Sequence, residues 1–284
     1  METSEKSFVT DIEDIEIRLL LEAIFQRYHY DFRGYSYASI KRRLLQARKH
    51  FKCDSFSPLQ DKVLNDEALF HQMFAFLTVQ VTEMFRDPSY FKAIRKDVIP
   101  HLKTFPSLKV WVAGCSTGEE LWSLMILFRE EGLEDRTIFY GTDINTDSLE
   151  KAESGVFKLD HMPLYSQNFS QTGGEHSLSE YYTAAYNAAK FDKSLKKRAV
   201  FSDHSLVSDA VFGEMHFISC RNVLIYFKRD LQNRAFGLFK NSLARGGFLG
   251  LGSKETLRFS SYEDSFKTFN REQRLYQLKS EAVL

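Results

Sequence analysis

Val110 to Ser123 reads VWVAGCSTGEELWS: a short apolar run, a turn carrying Gly114 and Gly118, then Glu119 and Glu120 where a helix should begin. A glycine turn between strand and helix commonly holds a nucleotide. A triphosphate needs a lysine and a Ser or Thr directly after the second glycine, because a cation and a metal must meet its charge. Glu119 and Glu120 occupy that place, and their charge repels a phosphate drawn to a helix N-terminus. A dinucleotide turn would be G-x-G-x-x-G, whereas this one is G-x-x-x-G. The next strand-like run, TIFYGTD, ends in Asp143, and an acid there can accept hydrogen bonds from both hydroxyls of a ribose. NAD and S-adenosylmethionine both offer that ribose. They differ in charge: the methionine part of the second carries an ammonium and a sulfonium and no phosphate, so a carboxylate-rich rim suits it. Taken alone, the turn and Asp143 also fit a purely structural strand-to-helix connection.

Three further stretches carry polar residues in fixed order: TVQVTEMFRDPSYF at Thr78 to Phe91, ISCRNVLIYF at Ile218 to Phe227, and GGFLGLGSKE at Gly246 to Glu255. Each has a plain reading. Arg86 and Asp87 before Pro88 could pair at a helix N-terminus, Tyr226 could be a core ring, and Asp143 could form an Asx turn. In this order, together with GCSTGEE, the stretches resemble the CheR family of chemotaxis receptor methyltransferases. Those proteins use S-adenosylmethionine to methylate glutamate side chains. The resemblance runs from about Leu20 to Leu278. It implies an α/β fold, with a Rossmann-like methyltransferase sheet, an antiparallel C-terminal hairpin, a small inserted subdomain and an all-α N-terminal domain.

It also implies site residues, motif by motif. The family's Asn-x-Thr followed by Arg falls on Gln80, Thr82 and Arg86, where Gln80 replaces the asparagine. The glycine turn supplies Gly114, Glu119 and Glu120, with Glu120 favoured as the cofactor contact, and the second strand supplies Asp143. The family's F-x-x-H-N-L reads FSDHSL here, giving Ser205 in place of asparagine, and Leu206. The CRNVLIYF motif supplies Arg221, Asn222 and Tyr226. Methyl transfer to a carboxylate needs no general base, since glutamate is already ionised at neutral pH. The site must orient the incoming carboxylate, and Arg86 and Tyr226 are the catalytic candidates for that. The implied partner is the cytoplasmic region of a chemoreceptor, with membranes met only through that receptor, and the chain is expected to be a monomer. A CheR-like scaffold without turnover is the alternative. A nucleic-acid methyltransferase would show an N-P-P-Y-like motif and a broad basic groove, and the sequence has neither.

These residues must be held by elements legible along the 284-residue chain, which is long enough for two domains. From Ile12 to about Phe105 the apolar residues recur at helical spacing: Ile15, Leu19, Ala23 and Ile24, then Ile40, Leu44 and Leu45, then Leu69, Phe70, Met73, Phe74 and Leu77. Beyond Pro106, strand-like runs alternate with helical patterns, as in a parallel sheet: VWVAG, TIFYGTD, RAVFSDH, HFISC and GGFLGLG. The closing runs around residues 266–279 predict a hairpin. Residues 154–195 are too long for one crossover and predict the inserted subdomain. The domain boundary is expected near residue 90, with 1–90 docking substrate and 91–284 binding cofactor. Lys+Arg and Asp+Glu balance at 38 each, so electrostatic partners must come from local clusters rather than a global field. One cluster lies at Arg33 to Lys52, where Arg42, Arg43 and Arg48 are the candidate docking residues. Its plain reading is a helix face balanced by acids elsewhere. The three cysteines have no C-x-x-C spacing, and the N-terminus lacks an apolar signal segment, so a cytoplasmic protein with reduced thiols is expected.

Overall fold

The structure is a computed structural model that describes residues 11–78 and 80–279. The chain forms two compact units, divided between residues 79 and 80.

The first unit is helical: α1 (Ile12–Tyr28), α2 (Tyr37–His50), α3 (Phe56–Asn65) and α4 (Glu67–Leu77). Asp11 caps α1 by accepting from the Glu13 amide, and Asp66 caps α4 by accepting from Leu69. The helix α1 buries Ile17, Leu20, Leu21 and Ile24. This corrects the phase expected from the sequence, because Ile15 and Leu19 are 45% and 56% exposed. Apolar residues lie on two overlapping stripes of α1, and periodicity alone does not select the one that packs. The stacked rings of Tyr28 and Phe70, 3.7 Å apart, and the Tyr28 hydroxyl bond to the Val63 carbonyl join α1 to α3 and α4.

In the second unit, α5 (Pro88–Ala93), a π-helical turn (Ile94–Val98) and α6 (Ile99–Leu102) precede the sheet. The strands and helices then follow as β1 (Leu108–Ala113), α7 (Glu119–Glu130), β2 (Thr137–Asp143), α8 (Thr146–Ser154), β3 (Val156–Lys158), α9 (Met162–Ser170), β4 (Tyr182–Ala185), β5 (Ala188–Phe191), β6 (Ala199–Asp203), β7 (Met215–Cys220), α10 (Arg229–Ser242), β8 (Leu243–Leu251), β9 (Phe266–Asn270) and β10 (Leu275–Leu278). The main sheet has the order β6-β2-β1-β7-β8-β10-β9. Its first five strands run parallel, and β10 pairs antiparallel with both β8 and β9. The parallel sheet and its closing hairpin are as the sequence predicts. Successive strands leave β1 in opposite directions, toward β2 and toward β7, and this reversal opens a crevice at the carboxyl ends of the strands.

The insertion folds as α9 and a small antiparallel sheet, β3-β5-β4. Trp122 of α7 joins it to the main core: its ring contacts Phe157 and Phe191, and its indole N–H donates to the Ala152 carbonyl at 2.9 Å. Met84, Phe85 and Tyr90 belong to this core as well. The division between units therefore falls before residue 90. Proline punctuation marks where a helix begins, whereas the chain enters the second core several residues earlier.

Glu16 of α1 ties the first unit together by capping α3 from another helix. Its carboxylate accepts from Ser55 Oγ, the Phe56 amide, and both the amide and Oγ of Ser57. These bonds, led by that from the Ser57 hydroxyl, lower its pKa from 4.5 to about 2. A depressed carboxylate stabilises the fold above its unfolded pKa, and that contribution is lost as pH falls toward 2. Glu16→Gln should therefore cost about 1 kcal/mol at pH 7, allowing for solvent screening. Urea unfolding should show the gap between wild type and variant closing between pH 4.5 and pH 2.

Candidate active site

The glycine turn is fixed by close packing and by a carboxylate. Gly114 has φ +75°, and a Cβ there would lie 2.5 Å from Val223 Cγ2. Gly118 has φ +94°, and its Cβ would lie 2.7 Å from that of Ala152. Neither position accepts a side chain, and both need the left-handed backbone that glycine adopts readily. The Gly114 and Cys115 amides donate to the Thr142 carbonyl, and the Ser116 amide donates to Asp143 Oδ2 at 2.8 Å. Asp143 Oδ1 accepts from the Asn145 amide at 3.0 Å. Asp143 thus fastens the turn after β1 to the end of β2.

Glu119 is buried and accepts from the Thr117 hydroxyl at 2.7 Å. Burial raises the pKa values of both Glu119 and Asp143, against the hydrogen bonds they receive. Glu120, next on α7, keeps 14% of its side chain open. Its Oε1 accepts from Ser219 Oγ at 2.6 Å, and its Oε2 from Arg221 Nη1 at 3.0 Å. Arg221 has only 1% of its side chain exposed, and its Nη2 reaches Asp87 Oδ2 at 2.6 Å and the Arg86 carbonyl at 3.0 Å. Burial works against its charge, yet Glu120, Tyr90 and Asp87 outweigh that and raise its pKa. Arg221 was expected to touch cofactor. Its two terminal nitrogens join residues 86–87, α7 and the end of β7.

The segment before α5 carries Gln80, Thr82 and Arg86. Its backbone is held by the Phe85 amide donating to Ser123 Oγ at 2.9 Å, by Asn168 donating to the Met84 carbonyl, and by Arg221. Phe85 and Asp87 both take positive φ, so the chain turns sharply on either side of Arg86. Arg86 is half-buried, and among the described residues its guanidinium gives one hydrogen bond, from Nη1 to the Val81 carbonyl at 3.3 Å. Gln80 and Thr82 are half-buried, and their side chains bond no other described residue. Beyond β6, the His204 amide donates to the Asp143 carbonyl, and Leu206 is buried. The Ser205 hydroxyl accepts from the Val207 and Ser208 amides, so it caps the turn that follows.

After β7, Asn222 takes φ +61°, and Tyr226 closes a single 3₁₀ turn, Leu224–Tyr226. A residue the sequence reading did not select holds this loop. The buried carboxylate of Glu255 accepts from the amides of Asn222, Val223, Ile225 and Gly252. The GSKE stretch carried the signal, since an acid beside a glycine turn after a buried strand needs backbone donors. Tyr90, Ser123 and Ser219 were missed in the same way.

In the first unit the structure sorts the basic stretch. Arg43 is 5% exposed and donates to the Leu77 carbonyl at 2.6 Å, so it closes the end of α4 and is withdrawn from the docking face. Arg48 pairs with Glu13, Lys41 with Glu13 and Asp14, and Arg33 with Glu22 and Asp31. Arg42, Lys49 and Lys52 are exposed and form no ion pair among the described residues. Among the described residues, too, no helix is long and apolar enough to cross a membrane.

A switch-point crevice with a glycine turn, an acid ending β2 and a carboxylate rim without lysine fits an S-adenosylmethionine-dependent methyltransferase domain. The donor set fits that cofactor: Glu119 and Asp143 form no ion pair among the described residues, and with Glu120 they line the turn with carboxylates that suit a cationic ligand. Residues 80–275 match the CheR methyltransferase SAM-binding domain, and residues 15–78 match the CheR methyltransferase all-alpha domain. The chain belongs to the CheR methyltransferase family. The Cher3 protein of Pseudomonas putida, provisionally named a methyltransferase, is 54% identical over 93% of this chain and 97% of its own length. A chemotaxis protein methyltransferase of Listeria monocytogenes is 30% identical over 80% of this chain and 84% of its own. A TehB-like SAM-dependent methyltransferase from Corynebacterium glutamicum has a solved structure that covers 66% of this chain and 85% of its own, at a TM-score of 0.37 and 13% identity. The assignment does not rest on that structure.

Glu255→Gln turns an amide N–H toward backbone donors and should lower unfolding free energy by roughly 2–4 kcal/mol. Urea denaturation followed by circular dichroism checks this. A change near zero would show that Glu255 does not hold the two loops.

Proposed function

We propose that this protein transfers the methyl group of S-adenosylmethionine to glutamate carboxylates in the cytoplasmic region of a chemoreceptor, leaving methyl esters and S-adenosylhomocysteine. Bound S-adenosylmethionine supplies an electrophilic methyl on a sulfonium. Glu120 takes the ammonium and Asp143 the ribose hydroxyls, with Gly114 letting the backbone come close and Leu206 offering an apolar contact. Gln80, Thr82, Ser205 and Asn222 serve as further polar contacts. The observation that carries the substrate class is Arg86: a guanidinium on a well-held turn that gives one hydrogen bond among the described residues. A planar fork of N–H donors matches a carboxylate.

Arg86 and the Tyr226 hydroxyl orient the incoming glutamate. No proton has to be removed, because a glutamate with a pKa of about 4.3 is ionised at neutral pH. Opposite charges merge as the methyl moves, so a strong polar grip would favour the ground state. Orientation and exclusion of water are the larger contributions. A receptor substrate in the cytoplasm places this protein there as well.

Incubation with methyl-labelled cofactor and chemoreceptor-containing membranes should place label on receptor, and mild base should release it as methanol. Base-stable label, or none across varied receptors, would overturn the assignment. Arg86→Ala should lower methylation about a hundredfold, as expected for a misplaced substrate.

The exposed cations of α2 are the docking candidates that remain in the first unit. The double variant Arg42→Glu, Lys49→Glu should slow receptor methylation, most at low salt, while cofactor affinity holds. Loss of cofactor binding in that variant would remove α2 from substrate docking.

A further inference from the structure

Two hydroxyls stand behind Glu120. Ser219 Oγ lies 2.6 Å from Glu120 Oε1, and Tyr90 Oη lies 2.7 Å from Ser219 Oγ. An ionised carboxylate only accepts, so the single Ser219 proton goes to Glu120. Ser219 must then accept from Tyr90, which fixes the direction of the whole chain. Burial, followed by the Glu120 charge, pushes the Tyr90 phenol well above its ordinary pKa, so the donor proton stays in place. A hydroxyl that accepts one hydrogen bond donates a stronger one.

The same tyrosine serves the other oxygen. Its ring lies 4.1 Å from the Arg221 guanidinium, whose Nη1 holds Glu120 Oε2. The neighbouring strand makes room for this arrangement, since a Cβ at Gly250 of β8 would collide with Tyr90 Oη. Tyr90 therefore bears on both carboxylate oxygens, by its hydroxyl through Ser219 and by its ring through Arg221. It reaches neither directly.

We propose that Tyr90 is a positioning residue for cofactor recognition, setting the Glu120 carboxylate that takes the ammonium of the amino-acid end. This rests on the reading of Glu120 given above. Phenylalanine at this place keeps the ring and its contact with Arg221 and removes only the hydroxyl.

Calorimetric titration of the full chain separates this role from packing. The probes are S-adenosylhomocysteine and 5′-methylthioadenosine, which has the adenosine but lacks the ammonium. Tyr90→Phe should weaken S-adenosylhomocysteine about tenfold and leave 5′-methylthioadenosine unchanged. Ser219→Ala should do the same, and the double variant should be no weaker than Ser219→Ala alone, because one residue acts through the other. Equal losses for both ligands would make Tyr90 a packing residue and overturn the proposal. Additive losses in the double variant would overturn it too, as would unchanged binding in Tyr90→Phe. Glu120→Gln tests the underlying reading separately. If that variant binds S-adenosylhomocysteine normally, the role of Glu120 fails. If it weakens binding while Tyr90→Phe does not, only the positioning role falls.

Discussion

The buried guanidinium of Arg221 is the interaction on which the site depends. Taking a cation out of water is costly, and the structure offsets it with Glu120, Asp87, the Arg86 carbonyl and the face of Tyr90. Leaving such a charge without its partners costs about 3–5 kcal/mol, so each partner is bound to its place. The consequence is geometric. Residues 86–87, the first turn of α7 and the end of β7 lie far apart in sequence, and one side chain fixes all three.

Carboxylates do the complementary work. Asp143 and Glu255 each accept backbone amides from a loop other than their own, so the turns after β1, β7 and β8 are fastened by charge-assisted hydrogen bonds. Among the described residues Glu119 and Asp143 form no ion pair, and burial raises the pKa values of both. Such carboxylates would defeat a phosphate ligand. A cationic ligand suits them, which is why the glutamates that look misplaced after a glycine turn are consistent with the rest of the crevice.

Much of this was legible in the sequence because it is local. Strand runs, the glycine turn, the acid ending β2 and the closing hairpin each depend on neighbours a few residues away. What failed to show depends on distance. Tyr90 meets Ser219 across 129 positions, and Ser219 meets Glu120 across 99, so nothing in the flanking residues announces the relay. Arg43 reads as one more cation on a basic helix, yet it sits on the face that packs, and an orphan carbonyl at the end of α4 gives its charge a partner. The phase of α1 was lost for a related reason, since two apolar stripes compete and tertiary packing chooses between them.

The fate of the basic stretch changes what it can do. Glu13 and Asp14 of α1 neutralise Lys41 and Arg48, so most of the apparent positive field is internal to the helical unit. Of the three exposed cations that form no ion pair among the described residues, Lys52 lies beyond α2, and Arg42 and Lys49 stand two helical turns apart on the same side of it. A pair of exposed charges contributes little binding energy in water, and salt screens it. On a chain whose formal net charge is +0, however, no wider field competes with that pair. Its reach is about one Debye length, enough to bias the approach of any acidic surface but not to hold one.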